Sequence, residues 1–214
     1  LLAFFLSNPL WAQVDPSIDW KVMELPHYDL IYDAKHQELA NIYADRLEDN
    51  AKFLAEYFEI FPERTTVVLN DRTDLTNGYA TPLPYRTIML FPVLPGPMET
   101  ISDYGDWARE LSMHEYTHIL SFEPRRGVVK ALYYTFGNII TPNILLPRWW
   151  LEGIAVDMET RTSERGRLRS PYQDASVRAY VLEENFEKLN LAEINETSIH
   201  TWPQGGRPYL FGSL

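Results

Sequence analysis

Trp107 to Phe122, WARELSMHEYTHILSF, constrains this chain more than any other stretch, because it sets two histidines and a glutamate inside an otherwise apolar segment. On a helix, residues four apart stand one above the other on one face. His114 and His118 can then direct two imidazoles at a single point, as a zinc ion requires of a ligand pair. Glu115 is rotated about 100° from His114, beside that point, where it can reach a water on the metal. Asp103 and Asp106 lie near the start of the segment, and no Gly or Pro interrupts 106 to 122. Trp107, Leu111 and Phe122 extend the histidine stripe, while Met113, Tyr116 and Leu120 form a second apolar one. A helix apolar on two sides is buried, and a histidine pair there needs a partner. The plain alternative is two core histidines bonded to backbone carbonyls, which leaves Glu115 buried without a task.

The rest of the composition narrows the partners. At 214 residues the chain makes one ordinary domain or two small ones, with room for a real core. A net charge of -11 without a basic block disfavours a nucleic-acid partner. With no cysteine there are no disulfides and no thiolate metal sites. Residues 1–13 hold the apolar run Leu1 to Leu6, then Pro9 and Ala12, and read as the tail of a signal peptide cleaved after Ala12. Leu10 departs from the small residue preferred there, and a buried N-terminal helix or strand is the competing reading. The expected location is therefore outside the cytoplasm, periplasmic or extracellular. No run reaches the length of a membrane span.

The order of elements is legible from Tyr28 onward. Tyr28–Tyr32 reads as a strand, His36–Phe61 as a long amphipathic helix with Pro62 at its end, and Thr65–Leu69 as a β-branched strand. Asn70-Asp71-Arg72 and Asn77-Gly78 read as turns, and Arg86–Phe91 as a further strand. Pro82 and Pro84 just before it suit an edge. An apolar stretch follows Arg125-Arg126-Gly127 as far as Leu146, residues 174–187 look helical, and a last helix starts at Pro208. The domain is expected to span 28–214 and to be cut short at its C-terminus.

Two histidines leave zinc short of a protein ligand, and the common hydrolytic solution adds one carboxylate and keeps a position for water. A third histidine six residues after His118 is absent, since that position is Pro124. Glu152 is the best candidate: it is the one acid in the apolar run WWLEGIA. Gly153 beside it is expected to let its helix approach the histidine helix closely. Glu123, Asp157 and Glu159 are the competitors. Asp157 or Glu159 could instead take the N–H of a ligating imidazole, or simply line a solvated helix face.

HEYTH followed by WWLEGIAVDME resembles the gluzincin metallopeptidases, in particular the peptidase-MA-like group related to aminopeptidase N. The resemblance runs over roughly 28–214 and rests on the two motifs, including an acid seven residues after Glu152. It implies an α+β, zincin-like domain with a small sheet packed on the HExxH helix. It also implies a zinc (Zn2+) hydrolase of peptide or protein substrates, with His114, His118 and Glu152 on the metal and Glu115 as general base. Pro208-Tyr209-Leu210-Phe211-Gly212 resembles the family's downstream tyrosine motif and makes Tyr209 a candidate oxyanion donor, with His200 as rival. Two features depart from the family. Thirty-three residues separate His118 from Glu152, so 125–147 has no template. Gly96-Pro97-Met98-Glu99-Thr100 only echoes the strand with which the aminopeptidases read a free amine, and Arg86–Phe91 is the expected substrate-pairing edge. An aminopeptidase and a non-catalytic, zinc-stabilised binding domain are the alternatives; the second needs a fourth protein ligand.

Overall fold

In the computed structural model, which describes residues 17–60, 64–97, 99–183, 190–195 and 206–213, a small mixed sheet is built first. Trp20–Glu24 (β1) and Tyr28–Asp33 (β2) pair antiparallel, and the helix Gln37–Phe58 (α1) carries the chain over to Thr65–Leu69 (β3), parallel to β2. Gly78–Thr81 (β4) then doubles back antiparallel into Thr87–Leu90 (β5), which is parallel to β3. The order across the sheet is β1-β2-β3-β5-β4.

Alternation puts Tyr28, Leu30 and Tyr32 of β2, Val67 and Leu69 of β3, and Ile88 and Leu90 of β5 into the core. Against them α1 lays Ala40, Tyr43, Ala44, Leu47, Ala51 and Leu54, spaced by three and four residues. The second helix, Trp107–Phe122 (α2), is buried almost throughout and belongs to the same core. Tyr28 meets Tyr116 edge-on at 5.1 Å, joining sheet to helix. Asn50 of α1 donates to the Arg109 carbonyl at 3.0 Å and to Ser112 Oγ at 2.9 Å, joining helix to helix. The fold is thus α+β, with the HEYTH helix in one core with the small sheet.

Four expectations need correction. The first long helix ends at Phe58 and not at Phe61, because Glu59 takes a left-handed φ of 54°, a conformation that closes helices. Asn77-Gly78 does not turn: Gly78 opens β4 opposite Leu90, and Asn77 O accepts from Phe91 N at 3.1 Å. Arg86–Phe91 is consequently no edge, since β5 lies between β3 and β4, and β4 takes the edge. The helix expected over 174–187 runs from Pro171 to Leu182, started by Ser170, whose hydroxyl accepts from Tyr172 N.

Past α2 the chain is helical. Gly127–Phe136 (α3) and two 3-10 turns at Gly137–Ile139 and Pro142–Leu145 fill the stretch without a template. Arg148–Arg161 (α4), Gly166–Arg169 (α5), Pro171–Leu182 (α6), Leu191–Asn195 (α7) and Arg207–Phe211 (α8) follow. No helix among the described residues is long and apolar enough to cross a membrane. The expected signal segment 1–13, Pro62, Met98 and His200 lie outside the described residues.

Candidate metal centre

The site starts from the cap of α2. Asp106 accepts from Arg109 N at 3.1 Å and pairs with Arg46 of α1 at 2.6 Å, which fixes where the helix begins and therefore which residues face inward. One turn separates His114 from His118, and their ring centroids stand 4.8 Å apart. Glu152, from the second turn of α4, reaches between them. Its Oε2 lies 3.3 Å from His114 Nε2 and 3.3 Å from His118 Nε2. The three residues can present one ligand atom each, all within 4.8 Å of one another.

The two 3.3 Å contacts are long for charge-assisted hydrogen bonds and also match the separation of neighbouring donors on one metal ion. A charge-assisted N–H···O bond closes to about 2.7–2.9 Å. Donor atoms around a tetrahedral zinc with bonds of about 2.0–2.2 Å stand about 3.3–3.6 Å apart. Two histidine nitrogens and one carboxylate oxygen are also the donor types zinc takes in sites that keep a place for water. Burial acts to push the Glu152 carboxyl up, but hydrogen bonding to His114 and His118 outweighs it and holds the group well below the usual carboxylate range.

Around these three the structure sorts the remaining candidates. Glu159 is buried, and its Oε2 lies 3.0 Å from His114 Nδ1 while its Oε1 lies 3.0 Å from Arg167 Nε. With Nδ1–H donated to Glu159, Nε2 of His114 faces Glu152 and His118 and can offer its lone pair to a metal once it gives up its proton. Burial and the Arg167 charge lower the His114 pKa, but its two carboxylate partners win and raise it to about 9. Asp157 instead pairs with Arg161 on the solvent side at 2.8 Å. Glu123 is held away from the site by Arg86 and Arg125.

Tyr209 arrives from α8. Its ring stacks on His114 at 6.0 Å, and its hydroxyl accepts from Arg148 Nη2 at 3.2 Å. Burial, with the Glu152 charge added, raises its pKa to about 12, so the phenol keeps its proton at neutral pH. What seats this helix is a glycine pair. A Cβ on Gly153 would come within 2.1 Å of the Gly212 carbonyl oxygen, and a Cβ on Gly212 within 2.0 Å of the Trp149 carbonyl oxygen. Gly153 therefore serves the approach of α4 to α8, a neighbour that the sequence did not point to.

Glu115 faces β4. A Cβ on Gly78 would stand 2.9 Å from Glu115 Cγ and 3.0 Å from the Met89 carbonyl oxygen, so only glycine lets the edge strand pass so close to the carboxylate. Burial raises the Glu115 pKa, against the lowering charges of His114 and His118. A cleft of about 360 Å³ opens onto His114 and Tyr209, lined also by Asn77, Ile101, Arg167 and Tyr172. Among its described residues the Gly96 echo holds no strand: Glu99 N bonds to Gly96 O at 3.0 Å.

Sequence reasoning missed Gly78, Arg148 and Arg167. Arg148 does carry a signal, four residues before Glu152 on one helix face and paired with it at 3.2 Å. Gly78 and Arg167 carry none that short-range patterns reveal.

No protein-family model matches the chain. It is similar to an uncharacterized protein of Treponema pallidum (strain Nichols), 26% identical over 196 residues. That alignment takes in 89% of this chain and 17% of the relative, so the chain spans about a sixth of the length of the protein it matches.

Proposed function

We propose that this chain is a zinc-dependent peptidase domain of zincin-like fold, hydrolysing peptide bonds with His114, His118 and Glu152 on the metal and Glu115 as base. One observation carries the reading. Glu152 Oε2 stands 3.3 Å from both histidine Nε2 atoms, the three donors lie within 4.8 Å of one another, and the carboxylate of Glu115 comes from the same helix turn. Bound zinc would supply a water acidic enough to give up its proton near neutral pH, and would polarise the scissile carbonyl.

The other steps belong to the chain. Glu115, its pKa raised by burial, accepts the proton of the attacking water and passes it to the departing amine nitrogen. Tyr209 already accepts a hydrogen bond from Arg148, so its own O–H is free to donate to the carbonyl oxygen as negative charge grows there. β4, at the edge of the sheet and against Glu115, offers its open backbone groups to an extended substrate. This replaces Arg86–Phe91 in that role. The signal-like segment 1–13 supports a periplasmic or extracellular setting.

Glu115→Gln tests the assignment. The variant is expected to keep about one zinc per chain while losing about 10²-fold or more in turnover of a peptide library. Loss of zinc together with activity would make Glu115 a ligand and overturn the scheme. Equal cleavage of N-terminally blocked and free peptides is expected, because the described residues of Gly96–Thr100 form no strand; a strict need for the free amine would shift the reading to an aminopeptidase. A zinc-loaded wild type that cleaves nothing would leave the site as a structural staple of a binding domain.

A further inference from the structure

The segment joining α2 to α4 has a face that nothing among the described residues covers. None of the residues of α3 is buried. Val128 is 76% exposed, Tyr134 75% and Phe136 58%, and the turns that follow show Ile139 at 78% and Leu145 at 85%. The segment is tied to the body at Tyr133 and Ile140, where the Arg125 guanidinium lies 4.3 Å from the Tyr133 ring centre and its Nε donates to the Ile140 carbonyl, and at Asn143, which donates to the Ser121 carbonyl. A ten-residue helix of this composition loses by facing water, so its outer side needs an apolar partner.

Charge says which partner. The chain carries -11 overall, yet from Pro124 to Leu151 there is no Asp or Glu, while Arg125, Arg126, Lys130 and Arg148 all fall there. Arg125 and Arg148 are engaged by Glu123 and Glu152. Arg126 and Lys130 stay exposed on the rim of the apolar side. Exposed aliphatic and aromatic side chains beside exposed cations, on a helix too short to span a bilayer, make an element that lies in a membrane interface. In a chain this acidic, a negative surface attracts that one face and repels the rest, which fixes the orientation.

We propose that α3 and the turns after it, residues 126–145, dock the protein on an anionic lipid surface, with Val128, Tyr134, Phe136, Ile139 and Leu145 entering the interface and Arg126 and Lys130 meeting the headgroups. The segment does not cross the bilayer; it lies on it. Binding is read without turnover, so this assignment stands or falls separately from the peptidase reading.

The test is flotation of the full chain with vesicles of phosphatidylcholine alone and of phosphatidylcholine mixed with phosphatidylglycerol. Binding is expected to the mixed vesicles, about tenfold weaker or more to phosphatidylcholine alone, and reversed by salt. Tyr134→Ser/Phe136→Ser/Ile139→Ser and, separately, Arg126→Glu/Lys130→Glu should each weaken it about tenfold or more. Thermal unfolding should not change, because the substituted side chains are exposed. Absence of binding to mixed vesicles, or variants that bind like the wild type, would overturn the proposal. So would a wild type that ignores vesicles but sediments as a dimer which the serine variant dissolves, since the face would then belong to a second copy of the chain.

Discussion

Glu159 holds His114 with one oxygen and Arg167 with the other, each at 3.0 Å, from a position only 2% exposed. In the proposed site, an acid in that place would orient a ligand without being one. Glu152, by contrast, meets both histidine Nε2 atoms with a single oxygen. Zinc titration should separate the two. Glu152→Ala is expected to abolish tight binding, and Glu159→Ala to weaken it by about 10- to 100-fold. Affinities in the reverse order would sink the ligand set. Tyr209 is tested by turnover instead: Tyr209→Phe should lower kcat by about 10- to 10³-fold with zinc content and KM little changed. A wild-type rate would pass the oxyanion to zinc alone or to His200.

At the scale of elements, the meeting of α4 and α8 decides whether Tyr209 reaches the site at all. Alanine inside a helix is favoured over glycine by about 1 kcal/mol, which on propensity alone makes Gly153→Ala stabilising. The Cβ it adds would sit 2.1 Å from the Gly212 carbonyl, and backbone cannot give way as a flexible side chain can. Overpacking of this kind costs about 1–3 kcal/mol, so packing outweighs propensity and the sign reverses. Gly153→Ala should therefore unfold at lower urea and lose kcat by displacing α8. A variant as stable as the wild type would show that the glycine pair is not what seats Tyr209. The same pair shows where short-range sequence patterns stop. β2, β3 and α1 are legible because each buries one face against one core, and that prints a period of two or of 3.6, while α2, buried nearly all round, is legible from its uninterrupted apolar run and its histidine spacing. β1 is exposed at four of its five positions and prints no period, and the Asn77-Gly78 dipeptide that opens β4 has the composition of a turn. The ligand residues and Glu159 could be read from two motifs. Their partners Arg167 and Gly78, and the true neighbour of Gly153, come from contacts between elements far apart in sequence, which no local pattern records.

For the whole molecule, a metal here would tie together two cores. α2 brings His114 and His118 from the sheet core, while α4, which carries Glu152, lends Met158 to that core and also packs on α8, whose Leu210 and Phe211 cluster with Tyr180 of α6. Zinc bridging α2 and α4 adds its binding free energy to folding, so a chelator should lower the unfolding temperature of the whole chain. The size of that drop should depend on pH, and its sign can be worked out. In the metal-free protein the His114 pKa is raised from 6.5 to about 9, so the proton it holds stabilises the metal-free fold fully below about pH 6.5. That contribution fades as pH rises through about 9. Zinc must displace the same proton, so its affinity rises over this window while the metal-free protein weakens. Glu152, held far below it, stays charged throughout. The gap in unfolding temperature between zinc-loaded and chelated protein should thus widen steadily from pH 6.5 to pH 9, measured calorimetrically at fixed free zinc. A gap that is constant or narrows would mean that zinc does not compete for the His114 proton, and α2 and α4 would be held by their apolar packing through Met158 and by side-chain bonding alone.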